Sequence, residues 1–153
     1  VKNFIQYLIE TYPTAINKHR IFIGGFSMGG AGVWSYLDRF GYEDSLVAAA
    51  VSLAGAGDIT IDVESLKRMP FWAFHGQKDP TVPVTRSTNI VNAFRAKYPG
   101  QLHQKLTIFT QDDFDAKYHR IDHGVFDRTF WEKNHTGDVF ETDVMNWLLQ
   151  YKR

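Results

Sequence analysis

The sequence predicts an α/β fold, with a mainly parallel sheet of about four strands and helices on both faces. Three observations carry that expectation. Short apolar runs near 20–25, 46–53 and 70–75 have the length of strands, and the alternating run Gln104–Phe109 adds another. Stretches with apolar residues at helical spacing lie between and around these runs. The run Leu46–Leu53 is nearly continuously apolar, which suits a parallel strand covered on both faces.

The elements follow in order. Val1, Phe4, Ile5, Leu8 and Ile9 recur at helical spacing, and Pro13 ends that first helix. A strand lies near 20–25. The segment after it, Ala31 to Leu37, has helical spacing to about Phe40, with Gly41 as the stop. After the apolar run 46–53, Gly55 and Gly57 break the pattern, and Glu64–Met69 reads as a short helix. Pro70-Phe71-Trp72-Ala73-Phe74-His75 is a buried strand closed by Gly76. Thr85–Lys97 is helical, with Ile90, Val91 and Phe94 on one face, and Pro99-Gly100 is a turn. The polar and aromatic segment 110–138 reads as a long loop with a helical turn or two. A final helix near 140–150 buries Phe140, Val144, Trp147 and Leu148.

Bulk properties narrow the function. The 153 residues suggest one domain, and 44% hydrophobic residues suffice for a core. Seventeen basic residues balance seventeen acidic ones, and no basic stripe marks a nucleic-acid partner. No apolar run approaches the roughly 20 residues of a membrane span, so the chain reads as soluble, in a compartment the sequence leaves open. With no cysteine, disulfides, thiol catalysis and thiolate metal sites are excluded. The chain opens on a helix at Val1 without an initiator methionine, as the middle of a larger protein would.

The chemistry centres on Gly25-Phe26-Ser27-Met28-Gly29, a Gly-x-Ser-x-Gly pattern between the strand Arg20–Gly24 and the following helix. A tight strand–turn–helix lifts the serine hydroxyl above the sheet end, and a Cβ two residues to either side would crowd the turn. The helix start offers free N–H groups to a developing oxyanion. As a bare pattern, Gly-x-Ser-x-Gly is also compatible with a flexible loop.

Sites in parallel sheets form at the carboxyl ends of the strands. After the strand 70–75, Asp79 lies in a loop restricted by Gly76, Pro80 and Pro83. A carboxylate held there can accept an imidazole N–H and select its tautomer, although Asp79-Pro80 is also an ordinary turn sequence. His123 and His135 both fall between the last strand and the last helix, where a loop can return an imidazole to the serine. His75 is expected to pack at its strand end and support the acid loop.

The order Ser27, Asp79, His123 is that of α/β-hydrolases. The chain resembles the C-terminal half of an α/β-hydrolase of the dienelactone hydrolase, phospholipase/carboxylesterase and polyhydroxybutyrate-depolymerase-like esterase type. The resemblance rests on Ile21–Gly30, on Pro70–Asp79 with Val82-Pro83, on His123–Phe130, and on Trp147-Leu148-Leu149. In the histidine block, Phe126 and Phe130 stand where such esterases usually carry a tryptophan and a tyrosine. The resemblance favours His123 over His135. It implies a serine esterase acting on a small-molecule ester without a cofactor. Ser27 would be the nucleophile, His123 the base, Asp79 the orienting acid and the Met28 backbone N–H an oxyanion donor. Phe26, Trp34 and Phe126 are candidates to line the substrate pocket.

The same resemblance implies that N-terminal strands and a second oxyanion donor lie outside residues 1–153. The strand bearing Ser27 would then be a bare edge, to be paired by the missing half or by a second copy. Without that half, the 153 residues alone are expected to be an incomplete catalyst. Two other readings share the residues: a serine peptidase of the prolyl-oligopeptidase type, and a non-catalytic α/β binding domain. A metal site at His119, His123, Asp122 and Asp127 lacks the His-Glu-x-x-His pattern.

Overall fold

The computed structural model of the chain describes residues 1–58, 60–110, 122–130 and 143–153. Helix α1 (Lys2–Thr11) leads to strand β1 (Phe22–Phe26), helix α2 (Met28–Phe40), strand β2 (Ala49–Leu53), strand β3 (Phe71–Gly76), helix α3 (Thr85–Lys97) and strand β4 (Gln104–Phe109). Two short helices, α4 (Val125–Phe130) and α5 (Val144–Leu148), complete the described order. The four strands form one sheet in the order β1-β2-β3-β4, and every neighbouring pair is parallel. Their carboxyl ends therefore share one edge, where Phe26 is level with Leu53 and Leu53 with Phe74.

Strand composition follows from burial on both faces. All residues of β2 and β3 are buried, as their unbroken small and apolar sequences require. The two-residue period sorts β3 between two cores. Phe71 and Ala73 face the side where α2 and α3 pack, with Val33, Leu37, Ile90 and Phe94. Trp72 and Phe74 face Val125, Val144 and Trp147 of α4 and α5. Trp72 also donates its indole N–H to Thr107 Oγ1 at 3.0 Å, so its polar atom is satisfied inside the core. A buried Phe side chain contributes about 1.5–3 kcal/mol, and aromatic residues from β3 supply both cores.

α2 ends at Gly41, whose φ of 54° lies in the left-handed region that favours glycine. α3 and β4 match the sequence expectation residue for residue. The expected helix Glu64–Met69 is instead a run of hydrogen-bonded turns, with bonds from Met69 N to Leu66 O and from Lys67 N to Glu64 O. Asp62 explains the difference, because its carboxylate accepts from Glu64 N and its carbonyl from Ser65 Oγ. Such local bonds give the backbone an alternative to a helix. The last helix begins at Val144, where Asp143 Oδ1 caps Asn146 N at 2.8 Å; Phe140 and most of the segment 110–138 lie outside the described residues.

Candidate active site

β1 turns into α2 through a single residue, Ser27, whose φ is 54° and ψ −114°. A non-glycine residue there costs on the order of 1–3 kcal/mol and persists only where its surroundings fix it. Here they do. Ser27 N donates to Leu53 O at 2.8 Å, and Ala31 N donates to Ser27 O at 2.9 Å. The ladder to β2 and the first turn of α2 thus grip the same residue from both sides.

Glycines admit the close approach, though not symmetrically. A Cβ on Gly25 would lie 2.3 Å from the backbone carbonyl of Gly29, whereas one on Gly29 would meet nothing within 4 Å. The expected crowding on both sides of the serine is therefore one-sided, because only Gly25 points its missing Cβ at the opposite arm of the turn. Gly30 is the second tight position: its Cβ would come within 2.8 Å of Gly55 Cα and of Leu53 O. Ser52 Oγ donates to Gly30 O at 3.1 Å and fastens α2 to β2 at this point.

Asp79 follows β3 on the same edge of the sheet. Its Oδ1 accepts from Thr81 N and Val82 N, both at 2.8 Å, and its side chain is fully buried. Burial opposes the negative charge. The Val82 N–H, His123 and the Thr81 N–H outweigh it and hold the carboxyl below its ordinary value. Oδ2 stands 2.8 Å from His123 Nδ1, and His123 Nε2 stands 2.7 Å from Ser27 Oγ. These partners assign the tautomer: Nδ1–H donates to Asp79, and Nε2 accepts from the serine hydroxyl. Asp122 Oδ1 accepts from Gly124 N at 2.9 Å and shapes the turn that carries His123.

The imidazole has 22% of its side-chain surface exposed, so it is reached from outside while Asp79 is not. The Phe26 ring lies 5.0 Å from the His123 ring and 6.1 Å from that of Phe126, which is itself exposed. Met28, also exposed, is the first residue of α2, so its N–H has no partner within the helix.

The structure thus brings Ser27, His123, Asp79, Phe26, Phe126 and the Met28 amide together. Trp34 is a correction. It is 2% exposed and packs edge-on against Phe71 at 5.4 Å, in the core on the α2 and α3 side, whereas Phe26 packs against the core on the other face. Helical spacing explains this, since Gly30, Val33, Trp34 and Leu37 form one buried stripe of α2. His119, His135 and the side chains of Asp127 and Phe130 lie outside the described residues. His75 is fully buried at the end of β3, with Nε2 2.8 Å from Val82 O in the acid loop.

Two participants escaped the sequence reading. Ser87 is buried and lies 2.8 Å from His75 Nδ1. Its signal was a serine in the apolar stripe that continues through Ile90, Val91 and Phe94. Asp122 was read only as a possible metal ligand, although Asp-x-Gly is itself a turn signal.

Residues 1–122 match the phospholipase/carboxylesterase family. The chain belongs to that family. A thermostable esterase of known structure is 31% identical and superposes with a TM-score of 0.77, covering 99% of this chain and 35% of its own. A candidate dienelactone hydrolase from Klebsiella pneumoniae subsp. pneumoniae is 19% identical with a TM-score of 0.57, covering 80% of this chain and 48% of its own. The Pyrococcus horikoshii acylaminoacyl peptidase is 16% identical with a TM-score of 0.59, covering 81% and 23%. The last two likenesses concern the fold. No curated protein matches the chain. The 153 residues span about a third of the esterase and less than half of the other two chains. The four parallel strands and their helices have the α/β-hydrolase fold of these neighbours, and no helix among the described residues is long and apolar enough to cross a membrane.

Proposed function

We propose that the chain carries the nucleophile, base and acid of a carboxylic ester hydrolase. The observation that supports this best is the unbroken path Asp79–His123–Ser27, with contacts of 2.8 and 2.7 Å, on a strained serine at a helix start. Ser27 Oγ attacks the ester carbonyl while His123 Nε2 takes its proton. Asp79 keeps the imidazole in the right tautomer and stabilises the imidazolium. The Met28 N–H donates to the oxyanion of the tetrahedral intermediate. Loss of one such donor in a comparable enzyme costs about 2.7–4 kcal/mol of transition-state stabilisation. His123 then protonates the leaving alcohol, and water, deprotonated by the same imidazole, releases the acid from Ser27. Phe26 and Phe126 line the approach to His123 and receive the apolar part of a small-molecule ester.

The rest of the site is assigned to polypeptide outside residues 1–153 or to a second copy. The support is twofold. β1 pairs only with β2 among the described residues, and the chain covers only 35% of the esterase it superposes on. That polypeptide supplies the second oxyanion donor and pairs with the open side of β1.

The test is hydrolysis of p-nitrophenyl acetate and butyrate by the full-length protein. Ser27→Ala is expected to lower kcat by about 10⁶-fold, to the level left by binding and the oxyanion donors alone. Full activity in that variant would sink the proposal.

A further inference from the structure

The geometry points to His75 as a positioning residue that holds Asp79 in place for His123, with Ser87 fixing its tautomer. The inference rests on the hydrolase reading and adds a second imidazole to it.

Asp79 Oδ2 faces two histidines. His123 Nδ1 lies 2.8 Å away on the exposed side, and His75 Nε2 lies 3.3 Å away on the buried side. His75 reaches the acid loop because of strand parity. It falls on the same face of β3 as Phe71 and Ala73, the face on which α3 packs. There its Nδ1 meets Ser87 Oγ at 2.8 Å and its Nε2 meets Val82 O at 2.8 Å. A carbonyl oxygen can only accept, so Nε2 carries the hydrogen, and Ser87 donates its O–H to Nδ1. The Nε2–H donates to Val82 O, and Asp79 Oδ2, 3.3 Å from the same nitrogen, is the second acceptor this proposal gives it.

The three side chains of this arrangement are enclosed. His75 and Ser87 are fully buried, and so is the Asp79 side chain. Burial is the main cause that keeps the His75 imidazole below its ordinary pKa, ahead of the opposing Val82 carbonyl and Asp79. A neutral ring can donate one N–H to the carboxylate without adding a charge that would compete with the His123 imidazolium. The charged and titratable groups bearing on it are Asp79 and His123. The two loop amides fix Oδ1, and His75 fixes Oδ2 against the pull of His123, so the carboxylate cannot rotate away during the proton transfer.

A ring that merely filled space would be replaced by any side chain of similar size. The test therefore compares His75→Leu, His75→Gln and Ser87→Ala in the full-length protein. Folding is checked by circular dichroism and serine reactivity by a fluorophosphonate probe. His75→Leu is expected to lower kcat by about 10–100-fold, the scale seen when a group that orients a working ligand is removed, with KM nearly unchanged. It also leaves Asp79 Oδ2 with one donor fewer and thus a stronger acceptor for His123, so the acid limb of kcat/KM moves to higher pH. His75→Gln restores an N–H near the Nε2 position and recovers most of kcat. Ser87→Ala, the mildest change, shifts the acid limb in the same direction. A folded His75→Leu with wild-type kcat and an unmoved limb overturns the inference, as do Leu and Gln variants that are equally impaired. Should His75→Leu not fold, an unmoved limb in both His75→Gln and Ser87→Ala overturns it. A wild type that the probe fails to label overturns the hydrolase reading itself, whereas a labelled wild type with indifferent variants overturns the role of His75 alone.

Discussion

Helices α1 and α2 are both amphipathic, yet they end in different surroundings. α2 buries Gly30, Val33, Trp34, Tyr36 and Leu37, whereas no residue of α1 is buried and its Phe4 and Tyr7 are exposed. α2 packs over β1 and β2; every residue of β2 and β3 is buried, while β1 is only half-buried and pairs with β2 alone among the described residues. The chain therefore has a closed half, from α2 to α3, and an open half, made of α1 and β1. Ser27 stands on the seam between them. Its strained backbone is held by the closed half through Leu53 O and Ala31 N. A stripe of apolar residues specifies a helix and a face; it does not specify what covers that face.

The contrast is broken most sharply by truncating the closed half. Phe74 is fully buried and stacks between Trp72, at 4.7 Å, and Phe109, at 6.3 Å. Phe74→Ala is expected to cost about 3–5 kcal/mol of unfolding free energy, since both transfer and cavity costs apply. Urea denaturation would measure it. A loss below about 1 kcal/mol would show that the closed half is not close-packed.

The seam itself responds next. Gly25→Ala places a methyl group 2.3 Å from the Gly29 carbonyl, and neither backbone segment can yield without releasing Ser27. Overpacking of this kind costs about 1–3 kcal/mol. With Ser27 as the proposed nucleophile, esterase activity should fall more than stability. Gly29→Ala meets open space and lies in a helix, where Ala is favoured over Gly by roughly 0.8–1 kcal/mol. Equal activity in the two variants would refute the one-sided account of the turn.

Acid sensitivity separates the same regions more gently. His75 is held below its ordinary 6.5 chiefly by burial, so the folded state resists taking up the proton that the unfolded chain accepts. Its contribution is intact above that value and is lost as pH falls from there toward its lowered folded pKa. Asp79 is also lowered, its loop amides and His123 outweighing burial; its contribution is present above 3.8 and is lost as pH falls through its folded value. The melting temperature should therefore fall in two stages, and His75→Gln should remove the upper one. A single stage confined to pH below 3.8 in the wild type would contradict the buried, neutral state of His75.

Much of this organisation was legible in the residues, and what was not has physical reasons. β2 and β3 were readable because burial on both faces demands unbroken apolar runs, and β4 because a half-buried strand alternates. The approach of Ser27, Asp79 and His123 to one another was readable because each follows a strand in chain order and the strand ends share one edge. Trp34 was misplaced because an aromatic residue a few positions after the Gly-x-Ser-x-Gly serine looks the same in sequence whether it faces a pocket or a core. Helical phase decided it, and phase needs the neighbouring elements. The turns at 62–69 escaped because Asp62 competes for the backbone bonds a helix would use. Ser87 escaped because its partner, His75, is a neighbour only after β3 and α3 pack.

The smallest expected effect probes the open half. Phe4 is 62% exposed, and α1 touches the core on the α2 side mainly through Ile5. In the 153-residue chain, Phe4→Ala should change unfolding free energy by no more than about 0.5 kcal/mol, the ordinary range for exposed sites. The same substitution in the full-length protein measures what lies over α1. If further polypeptide pairs with β1 and covers this helix, the cost rises toward the ~3 kcal/mol of a buried phenylalanine. An unchanged, near-zero cost there would mean that α1 faces solvent in the whole protein. The difference between the two measurements, rather than either alone, reports on whether further polypeptide covers α1. It does so without involving Ser27, so the architecture of the open half is tested independently of the chemistry.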